Sequence, residues 1–238
     1  MISLVSSASS KPVTTVAELI DFLGRRGQPA LCQYVGDERI EISGRVLVNW
    51  ATKVANLIDE HYPVLPSSVV VVGPAHWKFL AIALGTLIHG QQLQWPAASI
   101  ADAPETDFAD SLVFTSADAG ELDAVTADPA ELVQVELATL ATEFAGELDP
   151  FALDFATEAP AQPDQLMVQV SEVTLPTARK GNVLLSYELD GQQTLGHEDL
   201  AELALATWAG GGSVVISDAQ NLEQAQRQEA PALTALVQ

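Results

Sequence analysis

The chain has little positive charge, and this shortage argues against two classes of partner. Lys and Arg total 10 against 32 Asp and Glu in 238 residues, which gives a formal net charge of −22. Such a surface repels phosphate backbones and anionic lipid headgroups, so we expect neither a nucleic-acid partner nor binding at a membrane surface. The contribution of acidic residues to solubility explains the same composition.

Cysteine and histidine are also scarce. Cys32 is the single cysteine, which excludes an intramolecular disulfide framework and a cysteine-based metal cluster. It lies in a predicted strand, where a lone cysteine acts as a small buried hydrophobe. The four histidines are scattered along the chain and no pair has metal-ligand spacing. We therefore predict no metal site.

Long apolar runs are missing as well. The longest, over residues 79–88, is far shorter than the roughly 20 residues that a membrane span requires. Residues 1–10 contain neither the basic segment nor the apolar stretch of a signal peptide. From these two observations we expect a cytoplasmic protein. The length fits one large domain or two closely packed subdomains.

The most informative stretch runs from residue 29 to residue 96, where the pattern predicts strand, helix, strand and helix. Apolar residues recur at helical spacing over residues 47–60 and again over residues 79–88, and Gly90 is the expected C-cap of the second helix. The β-branched run over residues 68–72 suits a strand covered on both faces, as in a parallel sheet. The pattern therefore predicts an α/β fold of mostly parallel sheets flanked by helices.

The rest of the chain predicts further strands and helices and a division into two subdomains. We expect further strands over residues 111–115, 165–170, 182–188 and 213–216, and helices over residues 16–23, 127–145, 200–208 and from residue 219 onward. A turn is expected at Asp190-Gly191. Residues 151–163, rich in Ala, Pro and acids, are the best linker candidate. We therefore predict a first α/β subdomain over residues 1–150, a linker over 151–163 and a second α/β subdomain over 164–238.

Several motifs within residues 29–96 carry a family resemblance. Residues 66–77 read Pro-Ser-Ser-Val-Val-Val-Val-Gly-Pro-Ala-His-Trp, and residues 81–90 form a small-residue segment that ends in Gly. This order resembles the opening of the adenylate-forming (AMP-binding) superfamily, which includes acyl-CoA synthetases, luciferases and the adenylation domains of peptide synthetases. More narrowly, Asn49-Trp50, residues 53–57 and residues 74–77 are similar to a short bacterial family described only as AMP-binding-like. The resemblance implies the fold of the N-terminal part of these enzymes. We predict no cofactor, and the resemblance makes ATP or AMP the alternative.

The resemblance also implies a position for a phosphate-binding loop, which these enzymes wrap around the departing pyrophosphate. Residues 173–181 read Val-Thr-Leu-Pro-Thr-Ala-Arg-Lys-Gly, and the last two match the Lys-Gly that ends the family's loop. Both glycines expected before the lysine are missing, and Pro176 stiffens the backbone. The segment can be an eroded remnant or a working loop. Its candidate ligand residues are Thr174, Thr177, Arg179, Lys180 and Gly181.

A second candidate site follows from the position of His76 and Trp77. They begin a predicted helix directly after a predicted strand, a place where α/β proteins bind ligands. A tryptophan at this position is also explained by packing. We therefore name both residues as candidate ligand contacts.

Catalytic residues that the family requires have no counterpart in these 238 residues. They are the glutamate that holds Mg²⁺, the acid that binds the ribose hydroxyls and the lysine of the C-terminal lid. The leading hypothesis is a non-catalytic protein on this scaffold that acts through a small molecule or a protein partner. The alternatives are a nucleotide or acyl-adenylate binding protein, and an acid-activating ligase completed by a partner chain. We also expect a homodimer formed through residues 182–238, because in full-size relatives further chain covers one side of the second sheet.

Overall fold

The computed structural model describes residues 12–62, 64–122, 125, 131–186 and 193–237. Within them, strands and helices alternate along most of the chain. The elements are α1 (Val16–Gly24), β1 (Pro29–Val35), β2 (Glu38–Ser43), α2 (Gly44–His61), β3 (Ser68–Val72), α3 (Trp77–His89), β4 (Gln92–Ala97), β5 (Ser111–Thr115), β6 (Glu131–Gln134), β7 (Leu153–Asp154), α4 (Phe155–Ala161), β8 (Val183–Ser186), β9 (Gln193–Leu195), α5 (Leu200–Ala209), β10 (Val214–Ser217), α6 (Leu222–Glu229) and β11 (Leu233–Val237).

The strands form two sheets that are almost entirely parallel. One has six strands in the order β2-β1-β10-β8-β11-β9, and the other has five in the order β4-β3-β5-β6-β7. Among the strand pairs of the described residues, only β1–β2 is antiparallel. Residues 68–72 form β3 inside the five-stranded sheet, and all five are buried. The predicted α/β fold with mostly parallel sheets is therefore confirmed.

One apolar core connects the two sheets through the helices that pack between them. It contains Leu57 of α2, Val69 of β3, Leu80 of α3 and Leu185 of β8, each 1% exposed or less. The backbones of α2 and α3 approach closely at Gly85, where an added Cβ would lie 2.6 Å from the side chain of Val54. Helix α3 therefore lies in the centre of the molecule, and its first turn points to the functional site described below.

Local sequence explains where the central helices begin and end. The Thr15 hydroxyl caps α1 by accepting a hydrogen bond from the Glu18 amide, and the Ser43 hydroxyl does the same for the Val46 amide in α2. Helix α3 ends at Gly90, whose φ of 83° is the left-handed conformation that glycine adopts without strain. The C-cap that was expected at Gly90 is confirmed.

Two predicted elements are wrong. In residues 127–145, where a helix was expected, the described part contains β6, which pairs with β5 so that Leu132 lies opposite Val113. Burial between two parallel neighbours outweighs the helical spacing of these apolar residues. Residues 165–170 form no strand, because Asn56 binds this segment instead: its side chain accepts from the Met167 amide and donates to the Gln165 carbonyl.

The last helix begins later than residue 219. Asp218 Oδ1 accepts a hydrogen bond from the Asn221 amide at 2.9 Å, which closes a turn before α6 starts at Leu222. The chain then adds β11 to the six-stranded sheet between β8 and β9. The turn expected at Asp190-Gly191 lies outside the described residues.

The segment proposed as a linker has regular structure. Residues 151–163 contain β7 and α4, and Phe155 at the start of α4 is 1% exposed. Strands β1 and β2, from the first predicted subdomain, share a sheet with β8 to β11 from the second. The division of the chain at residues 151–163 stays a prediction.

Candidate functional site

A cleft of about 410 Å³ opens where the two sheets present the carboxyl ends of their strands. From the six-stranded sheet it uses the ends of β1 and β10, and from the five-stranded sheet the segments that follow β3 and β6. Ligands of open parallel sheets bind at this edge, because loops and helix N-termini converge there. The lining residues are Gln33, Tyr34, Val35, Glu38, Pro74, Ala75, His76, Leu137, Ala138, Thr139, Ile216, Ser217 and Asp218.

The first turn of α3 forms the inner end of the cleft. His76 is its N-cap, and the imidazole Nδ1 accepts a hydrogen bond from the Lys78 amide at 3.2 Å. Gln33, at the end of β1, offers its Oε1 to the Trp77 amide at 2.9 Å. The first N–H groups of a helix have no partner within the helix. Here side chains accept from two of them, and one of these side chains, Gln33, belongs to the six-stranded sheet.

His76 is held as a neutral imidazole. Burial, with a smaller contribution from the nearby Lys78 ammonium, lowers the pKa of His76 to about 3. The side chain is 6% exposed, and Nδ1 acts as an acceptor. At neutral pH the single ring proton therefore lies on Nε2.

Lys78 fixes the opposite wall of the cleft. It is 4% exposed, and its Nζ donates to the Glu136 carbonyl at 2.5 Å and to the Ala138 carbonyl at 2.9 Å. Burial lowers the pKa of Lys78, and the carboxylates of Glu136 and Asp154 partly oppose that effect. Because a buried ammonium without these acceptors is costly, the two carbonyls and the wall between them are held to α3.

The rim of the cleft is acidic. Glu38 accepts a hydrogen bond from the Thr139 hydroxyl at 3.2 Å, which bridges β2 and the segment after β6. Asp218 Oδ2 accepts from the Gly36 amide at 2.8 Å and holds the β1–β2 turn against the end of β10. Among the described residues, those lining the cleft include no Lys or Arg. The rim therefore disfavours ligands with several negative charges.

A polar cluster around the buried Tyr34 supports the cleft from the other face of the six-stranded sheet. Tyr34 donates its hydroxyl proton to Glu229 Oε1 at 2.6 Å, and Arg39 donates to both Tyr34 and Glu229. Burial and the bond to Glu229 raise the pKa of Tyr34 to about 12. Cys32 packs beside this cluster and is 1% exposed, as predicted. The cluster joins β1, β2 and α6.

The phosphate-loop candidates lie elsewhere. Gly181 lies two residues before β8, which runs parallel to β10. This segment therefore lies at the amino end of β8, whereas the cleft lies at the carboxyl end of β10. Thr174 forms a β-bridge with Thr15, and the Arg179 amide donates to the Ala206 carbonyl at 2.7 Å. Thr177 and Arg179 line a separate groove beside Asp199 and Glu202, and Lys180 is exposed. The structure therefore does not bring these residues together with His76.

Trp77 does not line the cleft. It is 3% exposed, and its ring packs edge-on against Trp50 with centroids 5.4 Å apart. Of the two neighbouring candidates, the structure places His76 in the cleft and Trp77 in the aromatic core beneath it. Sequence reasoning missed Gln33 and Lys78. The one available signal for Gln33 was an amide between apolar residues at the end of a predicted strand.

The described residues offer neither a metal site nor a membrane span. Within them, no group of three or more His, Cys, Asp or Glu side chains is arranged to hold a metal ion. Among the helices described, none is both long and apolar enough to cross a membrane.

Solved structures of adenylate-forming enzymes share this fold. An acyl-CoA synthetase of Brucella canis matches 97% of the chain with a TM-score of 0.63 at 13% identity, and the coronafacic acid ligase of Pectobacterium brasiliense matches 92% with a TM-score of 0.62 at 11% identity. Fatty acyl-adenylate ligases of E. coli and L. pneumophila match 92% with a TM-score of 0.53. The chain spans just under half the length of the first two, 48% and 49%. Its fold is that of part of an adenylate-forming ligase, and the resemblance read from the sequence is confirmed at this level.

A curated relative is known from Mycobacterium tuberculosis. It is 28% identical over 187 residues, which cover 75% of this chain and 77% of that protein, and it is named only for the family to which it is assigned. No protein-family model matches the chain. These comparisons establish the fold and a relative, and they carry no activity over to this chain.

Burial of neutral His76 predicts a specific pH dependence of stability. The folded-state pKa near 3 lies below the unfolded value near 6.5, so the unfolded state binds more protons between these values and stability is lost as the pH falls below about 6.5. Between pH 7 and pH 5 we expect wild type to lose about 2 kcal/mol more than His76→Asn, because asparagine can cap α3 but does not titrate. Urea unfolding at both pH values measures this difference, and equal losses would contradict it.

Proposed function

We propose that this chain is a non-catalytic, small-molecule-binding protein built on the adenylate-forming fold. The observation that carries the proposal is the cleft at the carboxyl ends of both sheets. Its walls are largely apolar, its inner end is the first turn of α3, and Lys78 and Gln33 hold that turn between the sheets. Pockets of this kind, apolar with a few convergent polar groups, are typical small-molecule sites.

The absence of catalysis is supported by the segment where the resemblance implies a phosphate loop. Its backbone is engaged by the protein itself: the Arg179 amide bonds to α5, and the Leu175 amide donates to the Thr14 carbonyl at 2.8 Å. Gly210 packs so closely on this segment that an added Cβ would lie 1.8 Å from the Arg179 carbonyl oxygen. Amides that bond to the protein cannot also bind a pyrophosphate.

The alternative, a nucleotide or acyl-adenylate binding protein, has one observation in its favour. Arg179 Nε is buried and has no hydrogen-bond partner within the described part of the chain, and Lys180 beside it is exposed. An anion could bind to these two cations. Asp199 and Glu202 line the same groove, and their charges oppose such binding. A residual acid-activating ligase would need this anion site together with a partner chain that supplies the lid.

The absence of catalysis is tested by ATP–pyrophosphate exchange. We expect the isolated chain to show no exchange above background with any carboxylic acid, because the glycines that such a loop needs before Lys180 are missing and the Leu175 and Arg179 amides are bonded to the protein. The matched variant is Lys180→Ala. Exchange that exceeds background in wild type and disappears in Lys180→Ala would overturn this part of the proposal and favour the ligase.

Occupation of the cleft is tested by a thermal-shift screen of nucleotides, acyl-CoAs and carboxylic acids with their neutral derivatives. Ala138 is exposed and lines the cleft, so Ala138→Trp should fill the entrance and abolish the shift given by compounds that bind there. Ala145 is exposed on the same connection outside the cleft, and Ala145→Trp is the control. If no compound stabilises wild type, or if both variants respond like wild type, the proposed site is wrong.

A homodimer through residues 182–238 remains part of the proposal. Its support is the position of β9 at the edge of the six-stranded sheet, where a strand has one free side for pairing. Because each chain carries a formal charge of −22, we expect the dimer to tighten as salt screens the repulsion. Light scattering across a salt series at tens of micromolar protein checks this, and a monomer at every ionic strength would contradict it.

A further inference from the structure

The cleft contains two buried hydrogen-bond donors that the protein leaves unused. Gln33 is 4% exposed and His76 is 6% exposed, and both line the cleft. Gln33 uses its Oε1 to accept from Trp77, and His76 uses its Nδ1 to accept from Lys78. Within the described part of the chain, neither Gln33 Nε2 nor His76 Nε2 has a hydrogen-bond partner, and neither atom is sealed from solvent.

Other buried side-chain amides in the molecule have hydrogen-bond partners for both their nitrogen and their oxygen. Gln134, at the end of β6, donates Nε2 to the carbonyls of Ala117 and Glu147 and accepts from the Asp149 amide. Asn56 in α2 is satisfied in the same complete way. Because buried polar groups are almost always bonded, an exception that opens into a cleft indicates a ligand.

The two free donors belong to one small region. Gln33 is bonded to the Trp77 amide, and His76 is the residue directly before Trp77. Both therefore flank the first turn of α3, where the helix dipole adds partial positive charge. A group that binds here must supply hydrogen-bond acceptors.

The walls and rim of the cleft restrict the kind of ligand that can supply this acceptor. The walls include Val35, Pro74, Leu137 and Ile216, which suit an apolar chain. The rim presents Glu38 and Asp218, and the described lining contains no cation to neutralise an anion. Neutral His76 adds a donor without adding charge.

We propose that the cleft binds a neutral carbonyl compound, an amide or ester with an apolar chain, whose carbonyl oxygen accepts hydrogen bonds from Gln33 Nε2 and His76 Nε2. The inference rests on the proposed function and narrows it to one ligand class. A carbonyl oxygen that accepts from both donors keeps them bonded when the ligand displaces solvent from the cleft, so binding leaves neither group unpaired.

The test compares four eight-carbon probes in NMR titrations at pH 7.5: octanamide, methyl octanoate, octanoate and octylammonium. We expect the two neutral carbonyl compounds to bind about 10-fold more tightly than either charged probe, because the acidic rim repels octanoate and because octylammonium offers no acceptor to the two donors. A difference of about 10-fold corresponds to about 1.4 kcal/mol. Tighter binding of octanoate or octylammonium overturns the ligand class. Binding by none of the four overturns it as well.

Two variants remove one donor each and keep the helix cap. Gln33→Glu retains Oε1 for the Trp77 amide and loses the Nε2 donor, and His76→Asp retains an acceptor for the Lys78 amide and has no N–H to donate. We expect each to weaken octanamide binding by about 5-fold to 10-fold. The control is Gln92→Glu, which adds the same charge at an exposed position in β4 outside the cleft and should leave the affinity unchanged.

Urea unfolding of each variant separates loss of a donor from loss of the fold. Unchanged octanamide affinity in folded Gln33→Glu and His76→Asp overturns the proposal, and so does an equal loss in Gln92→Glu. Failure of the ligand class is distinguishable from failure of the proposed function. If other compounds bind wild type, fail to bind Ala138→Trp and have unchanged affinity for both donor variants, the cleft is a binding site for a different class of ligand.

Discussion

The hydrogen bond from the Trp77 amide to Gln33 Oε1 is the contact on which the site depends. It joins the end of β1, in the six-stranded sheet, to the first residue of α3, the helix that leaves the five-stranded sheet. Lys78, one residue further, bonds to the segment after β6. Both sheets therefore meet at one helical turn, and the cleft is the space that remains above it. A helix start has spare N–H groups to bond in this way, which the middle of a helix lacks.

The position of that turn separates the two candidate sites that were named from the sequence. The cleft lies at the carboxyl ends of β1 and β10, whereas the segment that ends at Gly181 lies at the amino end of β8. In this chain the latter segment is packed against α1 and α5 by backbone bonds. The cleft in turn has an acidic rim and neutral polar groups at its inner end. The two regions thus have different chemistry, and a ligand of one has no structural reason to bind the other.

Local patterns in the sequence predicted an element correctly where the spacing of its apolar residues matched the face that the fold buries. The run over residues 68–72 is a central strand, and Gly90 ends α3 as expected, because neither depends on distant partners for its type. Residues 131–134 were mistaken for helix because apolar residues at suitable spacing fit a helix and a doubly covered strand equally. Pairing with β5 decided between them. Residues 165–170 failed for a similar reason, since the Asn56 side chain takes the backbone groups that a strand would use.

The candidate site was accessible from the sequence only in part. His76 could be named because a strand followed by a turn and a helix start is visible in the order of residues. Its neutrality, the roles of Gln33 and Lys78 and the separation from residues 174–181 were not visible, because each depends on which residues lie together across the two sheets. The sequence by itself determined the α/β class, the acidic surface and the central helices, all of which follow from local spacing and composition. Tertiary structure alone decided which polar groups are buried, which of them find partners and which face the cleft, since burial and hydrogen bonding are properties of the packed chain.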